Sequence, residues 1–282
     1  MNVLVLGASG FIGRHLTAAL RSRGDSVVEA SLRDPAAAAN ASLGCDAVVN
    51  LGGEPIAQRW NESLKERIES SRVELPRRFL EELARLPKQP ATYVSPSGVD
   101  YYGTSETAAF DESSPPGDGF LARVCVGWER EAAHAADLGM RVCILRTGIA
   151  LGTDGGALGK MLAPFRMGAG GIIGNGKQWL SWIHIDDLIA IYLLAIDRAS
   201  GVMDATAPNP VTNAEFTRAL GAALQRPAFA PVPTFALRMM LGEGADLLLK
   251  GQRVLPKRVT EEYGYPFAYP TLDKALANLL SP

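Results

Sequence analysis

Asn2-Val3-Leu4-Val5-Leu6-Gly7-Ala8-Ser9-Gly10-Phe11-Ile12-Gly13 is the stretch that decides the fold of this 282-residue chain. Val3 to Leu6 is an unbroken apolar run, as a strand buried on both faces requires. It runs straight into glycines spaced three apart. Gly7 lets the chain turn tightly off the strand end, Gly10 puts no side chain between the backbone N–H groups and a pyrophosphate, and Gly13 allows a helix to pack closely on the strand. Phe11, Ile12, Leu16, Ala19 and Leu20 then recur at helical spacing, giving the buried face of a helix whose positive end meets the phosphates. A glycine triplet alone would read as an ordinary turn. The strand before it and the helix after it make it a dinucleotide site, with Gly7, Ser9, Gly10, Phe11, Ile12 and Gly13 as expected contacts.

Outward from this motif, apolar runs suited to strands cover 2–6, 26–31, 46–51, 91–95 and 141–147, with short ones near 181–184 and 202–206. Helical patterns cover 11–23, 61–86, 119–138 and 186–199. Their alternation predicts an α/β fold with a Rossmann-type doubly wound parallel sheet. Pro35 to Ala41 reads as an alanine-rich connection, and Pro76 should kink the helix over 61–86. Beyond about residue 150, glycine loops and proline turns separate shorter helices, which suggests a small C-terminal α/β lobe on the substrate side. The expected division is 1–150 with 180–206 for the dinucleotide, and 151–179 with 207–282 for the substrate. Thr212 with Glu215 three residues on carries a capping-box signal.

A net charge of −2 with 21% charged residues gives no reason to expect nucleic acid or an anionic membrane as partner. No run of about 18 apolar residues offers a membrane span. The first strand begins at residue 2, leaving no room for a leader, and Cys45, Cys125 and Cys143 lack metal-ligand spacing. They read as reduced thiols of a cytoplasmic protein. The expected partners are a small-molecule substrate and a second copy of the chain in a homodimer; no metal is expected.

The end of the second strand selects the dinucleotide. Glu29 lies inside the strand, while Ser31 and Arg33 stand at its end, where a 2′-phosphate would be repelled by a carboxylate and bound by a guanidinium. This favours NADP(H), with Arg14 a second phosphate partner. The third strand ends in Asn50-Leu51-Gly52-Gly53-Glu54-Pro55, whose glycines let Leu51, Gly52, Gly53 and Glu54 approach the adenosine half. Arg72 falls on the apolar stripe of Leu64, Ile68, Leu75, Phe79 and Leu83, so it needs an anionic partner, either a carboxylate or a cofactor phosphate.

Ser95-Pro96-Ser97-Gly98-Val99-Asp100-Tyr101-Tyr102-Gly103 follows the fourth strand and is the expected home of catalysis. Ser97 would orient a substrate oxygen, and Tyr101 or Tyr102 would exchange the proton. Gly171 to Gln178 nearly fits a phosphate loop, but Gln178 stands where Ser or Thr is required. His184 reads as structural, at the start of a helix capped by Asp186 or Asp187.

Gly7 to Gly13, Ser95 to Gly103, Arg146-Thr147-Gly148 and Trp182 to Asp187 together resemble the extended short-chain dehydrogenase/reductases. Asn50 to Ile56, Arg59-Trp60, Ser71-Arg72, Trp128-Glu129, Pro164 to Arg166, Pro208 to Phe216 and Gly251 to Pro256 narrow this. They resemble the SDR39U1/YfcH-type group of the NAD-dependent epimerase/dehydratase family, over essentially the whole chain. The resemblance implies a bound NADP(H) contacted by Gly7 to Gly13, Arg33, Leu51, Gly52 and Arg72. The wider superfamily's dehydrogenases use a Tyr-x-x-x-Lys pair, which this sequence lacks, an absence the narrower group shares: no tyrosine has a lysine four residues later. Where the pair is expected, Cys125 and Glu129 stand. The readings that follow are an atypical NADP(H)-dependent oxidoreductase, a non-catalytic NADP(H) sensor, or a nucleoside-diphosphate-sugar epimerase.

Overall fold

In the computed structural model, which describes residues 1–228 and 231–281, strand and helix alternate through the first half. β1 (Asn2–Leu6) leads to α1 (Phe11–Ser22), β2 (Ser26–Ala30) to α2 (Pro35–Ala41), and β3 (Ala47–Asn50) to α3 (Glu62–Arg72) and α4 (Glu74–Leu83). β4 (Thr92–Gly98) and the short β5 (Ala109–Phe110) precede α5 (Phe120–Ala133), β6 (Arg141–Thr147) and β7 (Ile149–Leu151). Next come α6 (Gly156–Arg166), β8 (Trp179–Leu180), β9 (Trp182–His184), α7 (Ile185–Asp197), β10 (Gly201–Ala205), β11 (Val211–Thr212) and α8 (Asn213–Ala223). The chain closes with α9 (Thr234–Leu241), α10 (Asp246–Leu249), β12 (Arg253–Val254) and α11 (Leu272–Leu280).

Six strands form one parallel sheet in the order β10-β6-β4-β3-β1-β2. This is the Rossmann-type α/β fold the sequence predicts. The chain moves outward from β1 to β2 and then crosses back to β3 on the other side of β1. That reversal opens a crevice at the carboxyl ends of β1 and β3, where ligands of such sheets bind. Side chains alternate between two apolar layers. Val3, Val5, Val49 and Val94 pack against α1 and α7, while Leu4, Leu6, Val48 and Tyr93 pack against α2, α4 and α5. A third layer, including Leu158, Phe165, Trp182, Phe216 and Leu276, joins α6, α8 and α11. Three two-stranded pairs tie these parts together: β7 with β9, β8 with β11 and β5 with β12.

Several boundaries depart from the sequence reading for identifiable reasons. The pattern over 61–86 is two helices, broken at Val73. Pro76 has no N–H to offer the Arg72 carbonyl four residues back, so the kink becomes a break. The pattern over 119–138 ends as an α-helix at Ala133 and continues as a 3₁₀ turn, His134–Leu138. Pro35 to Ala41 is a helix rather than a plain connection: the Asp34 carboxylate accepts from Ala37 N at 3.0 Å and proline opens the first turn. β4 runs to Gly98, past the expected residue 95, so Ser97 is still paired within the sheet. Residues 182–184 pair with β7 outside the main sheet.

The expected capping box at α8 forms, with Thr212 and Glu215 satisfying each other's backbone N–H. The cap of α7 is a correction: it is His184, whose Nδ1 accepts from Asp186 N at 3.0 Å. Asp187 is occupied elsewhere, accepting from Tyr265 Oη and from the Ala268 and Tyr269 amides. His184 itself is buried, hydrogen-bonded to Asn278 and stacked on Tyr269. Among the described residues no helix is long and apolar enough to cross a membrane.

Candidate active site

The glycine loop is held by its own backbone. Gly7 has φ +77°, which a side chain would resist, and its carbonyl accepts from Gly10 N at 3.0 Å. A Cβ on Gly13 would stand 2.3 Å from the Gly7 carbonyl oxygen, so only glycine lets α1 seat there. A Cβ on Gly10 would meet the Gly7 carbonyl oxygen at 3.3 Å, a tight contact but a less severe one than at Gly13. Gly10 also caps α1 without any side-chain hydrogen bond, so no side chain covers the first amides of the helix. Ser9 is exposed beside them. The Phe11 ring turns away and fills a cradle formed by Gly152, Gly155 and Gly156, and Ile12 packs on the core. Both therefore offer the crevice backbone rather than side chain.

At the end of β2, Glu29 faces outward and pairs with Arg21 at 2.8 Å. Ser31 and Arg33 are exposed, and Ser31 Oγ accepts from Arg33 N at 3.3 Å. Arg14 is engaged by Asp154 at 3.4 Å and by the Ser9 carbonyl. Leu51 and Gly52 pass directly beside Gly7, and Asn50 Oδ1 holds Gly52 N at 3.1 Å. The Glu54 carboxylate meets Arg67 and Gln58, while its carbonyl accepts from Arg72 Nη1 at 3.0 Å. Arg72 lies against Gly53 and over the ring of Trp128, 5.1 Å from its centroid. Of the two anionic partners expected for Arg72, a protein carboxylate is not found within ion-pair distance among the described residues.

The residues after β4 sit on a buried polar rung that sequence reasoning did not find. Ser97, Arg146 and Asp204 are direct neighbours across β4, β6 and β10. Each is at most 4% exposed. Glu129 reaches into the rung from α5, one turn beyond Cys125. Ser97 Oγ donates to Glu129 Oε1 at 2.7 Å, and Arg146 Nε and Nη2 each reach a Glu129 oxygen at 2.8 Å. Arg146 Nη1 then donates to Tyr102 Oη at 2.8 Å, and Tyr102 Oη donates to Asp204 at 2.8 to 2.9 Å.

The bidentate pair satisfies a charge that would otherwise be costly inside the protein. Burial, with Glu112 nearby, pushes the Asp204 carboxyl well above the ordinary carboxylate range. Burial and the neighbouring Asp204 likewise raise the Tyr102 phenol. Burial and Asp100 push the Cys125 thiol up to about 12, far from the thiolate a nucleophile needs.

Of the three residues expected to catalyse, Ser97 and Tyr102 thus have their hydroxyl hydrogens inside the rung. Tyr101 differs: it is partly exposed, its ring covers the Arg146 guanidinium at 3.4 Å, and its hydroxyl meets no described residue. Cys125 and Glu129, the residues at the spacing expected of the Tyr-x-x-x-Lys pair, are a buried thiol and a carboxylate paired with Arg146. The spacing of Cys125 and Glu129 signalled this departure, but nothing in the local sequence signalled that Arg146, on another strand, would neutralise Glu129. No group of three or more metal-ligating side chains is found among the described residues.

Residues 3–205 match the NAD dependent epimerase/dehydratase family, and residues 232–279 match a domain of unknown function, DUF1731. The human epimerase family protein SDR39U1 is 41% identical over 296 residues, spanning all of both chains. The crystal structure of its isoform 2 with NADPH superposes with a TM-score of 0.93, at 40% identity and 99% coverage of each chain. A nucleoside-diphosphate sugar epimerase from Corynebacterium glutamicum, 35% identical, superposes with a TM-score of 0.80 over 99% of this chain and 58% of that one. With its glycine loop, its sheet and its full-length relatives in agreement, the chain belongs to the NAD-dependent epimerase/dehydratase family of extended short-chain dehydrogenase/reductases, beside the SDR39U1 proteins.

Proposed function

We propose that this protein binds NADP(H) in the crevice above β1 and β3 and acts as an atypical oxidoreductase on a small molecule. The observation that carries the cofactor reading is the end of β2: Glu29 is turned outward onto Arg21, while Ser31 and Arg33 are exposed, with the Ser31 hydroxyl hydrogen and the Arg33 guanidinium available to a 2′-phosphate. The NADPH held by the human relative supports it. Gly7 to Gly13 and the open start of α1 would hold the pyrophosphate, and Leu51, Gly52 and Gly53 the adenosine side. The bound dinucleotide supplies hydride exchange. Tyr101 is the group best suited to pass a proton at its phenol oxygen, because that oxygen alone among the three expected hydroxyls is unengaged. Ser97 and Tyr102 are positioning residues in this reading, held by Glu129, Arg146 and Asp204. The three cysteines are free and buried, which suits the reducing cytoplasm.

Titration with NADPH and NADH tests the cofactor. Arg33→Ala should cost NADPH roughly tenfold, about 1.4 kcal/mol, and leave NADH unchanged. A preference for NADPH that survives the substitution overturns the assignment. The enclosure of Ser97 and Tyr102 favours one second reading, a dinucleotide sensor without turnover. Consumption of NADPH with any member of a carbonyl panel, abolished by Tyr101→Phe, decides for the enzyme.

A further inference from the structure

We propose that residues 232–248 form a strap across the mouth of the crevice, clasped at Trp60 to the loop that carries the adenosine contacts, so that binding of the dinucleotide closes the strap. The inference rests on the dinucleotide reading above and adds a moving part to it. The loop between β3 and α3, residues 51–61, has no regular secondary structure. It begins at Leu51 and Gly52, beside Gly7, and runs to Trp60. Between those points it is braced against itself and against α3. Glu54 N donates to Ser71 Oγ at 3.0 Å, the Gln58 side-chain amide to the Pro55 carbonyl at 2.7 Å, and the Trp60 indole N–H to the Ile56 carbonyl at 2.8 Å. A loop bonded in this way moves as one piece, so a ligand seated on Leu51 to Gly53 acts also on Trp60.

Residues 232–248 meet that loop from the substrate side. At their start Val232 N donates to the Ile172 carbonyl at 2.8 Å, and the Val232 carbonyl accepts from Gly174 N at 3.3 Å. At their end the Leu248 carbonyl accepts from Gln178 Nε2 at 2.9 Å. Both ties are to the stretch between α6 and β8, in the small lobe. Midway, the contacts change sides. Trp60 N donates to the Leu241 carbonyl at 3.1 Å, and Lys65 Nζ meets Glu243 at 2.6 Å. Gly244 lies so close to Trp60 that a Cβ there would stand 2.7 Å from ring carbon Cδ1 and 2.8 Å from the Gln58 carbonyl oxygen. A segment tied at both ends to the lobe, and in its middle to the loop leaving β3, bridges the two sides of the crevice.

The bridge carries a helix with unfinished packing. None of the eight residues of α9 is buried, and Phe235, Met239 and Met240 are 67%, 72% and 68% exposed. A helix this short depends on burying a face for its stability, and apolar side chains gathered on one exposed element mark a contact surface. The surface it closes on is the near wall of the crevice. There Ile56, Trp60, Phe120 and Leu121 are partly buried around Leu64, Ile68 and Val124, with the Trp60 and Phe120 rings edge to face at 5.5 Å. Leu241, the last residue of α9, already bonds to that wall at Trp60. Pro233 precedes the helix and Gly242, at φ +59°, follows it, so the backbone has a place to turn as α9 swings.

Amide hydrogen exchange of the full chain, read with and without saturating NADPH, tests the coupling. In the wild type NADPH should slow exchange across α9 by about fivefold or more. Gly244→Ala drives a methyl group into Trp60 and Gln58 and prises the clasp open, so α9 should exchange fast even with NADPH bound. Glu243→Gln removes the ion pair at an exposed position, where folding is not at risk, and should lose part of the protection. By linkage both variants should also weaken NADPH, by up to the same factor, although neither residue belongs to the dinucleotide site. Arg33→Ala at saturating NADPH should keep the protection, so failure of the 2′-phosphate assignment is separable from failure of the strap. Exchange across α9 that NADPH leaves unchanged in the wild type overturns the proposal. So does protection that survives intact in Gly244→Ala or, should that variant not fold, in Glu243→Gln. Protection spread evenly over the chain is general stabilisation by a ligand and overturns it equally. A wild type that does not bind NADPH at all overturns the dinucleotide reading itself, and the strap with it.

Discussion

The carboxyl ends of β1 and β4 meet at one crevice but are built on opposite principles. After β1 the chain uses glycine, backbone amides and emptiness: Gly7, Gly10 and Gly13 fold against one another within seven residues. After β4 it uses filled space and charge. Ser97, Glu129, Arg146, Tyr102 and Asp204 come from a strand, a helix, a second strand, a turn and a third strand, and close on themselves. A loop that binds by backbone tolerates no added atom but needs no distant partner. A polar rung that binds by side chains depends on every member, because each lost partner strands another in a low-dielectric interior.

Breaking the rung should have the largest effect. Glu129→Ala leaves the buried Arg146 guanidinium without its carboxylate and should destabilise the protein by about 3–5 kcal/mol in urea unfolding. A loss below about 1 kcal/mol, the level of a surface pair, would mean the rung is not a unit. On the other side of the comparison, Gly13→Ala forces a Cβ against the Gly7 carbonyl and should cost about 1–3 kcal/mol, with NADPH binding lost alongside.

Asp204 gives the pH signature. Its native pKa is raised, so above the ordinary carboxyl value the native state holds a proton that the unfolded chain has released. Stability therefore falls as pH rises through that window, by up to about 1.4 kcal/mol per pH unit. Asp204→Asn keeps an acceptor for Tyr102 and carries no such proton, so its stability relative to the wild type should grow from acid toward neutral pH. Parallel unfolding curves for the two proteins across that range would place the proton elsewhere. Gly10→Ala should have the smallest effect on folding, about 0.5–1 kcal/mol, because its Cβ would press on the Gly7 carbonyl at 3.3 Å rather than at the 2.3 Å met from Gly13. It should still weaken NADPH binding, and that contrast with Gly13→Ala separates the glycine that serves the fold from the one that faces the ligand.

The same contrast explains what could be read from the chain. The β1–α1 unit was legible because its determinants are local: an apolar run, three glycines and a helical stripe. The capping box of α8 was legible for the same reason, and so was a disturbance at Pro76, although the sequence reading made it a kink in one helix where the structure has two. The cap of α7 was not. Asp186 and Asp187 have the favoured cap chemistry, but the Asp187 carboxylate is drawn away by Tyr265, Ala268 and Tyr269, and His184 takes its place. The helix over 35–41 was missed although Asp34-Pro35 offered a cap and a first-turn proline.

By itself, the sequence determined that this protein builds a parallel sheet with a dinucleotide loop, and that the lysine of the Tyr-x-x-x-Lys pair is absent. Periodicity and glycine spacing act through neighbours along the chain, where excluded volume and backbone geometry leave few choices. Only the tertiary structure decided what Glu129 is paired with. Glu129 meets Arg146 seventeen positions on because β4 and β6 pair in register and α5 lies across them. A buried charge takes whichever partner the fold brings within reach, and that choice is made in space rather than along the chain.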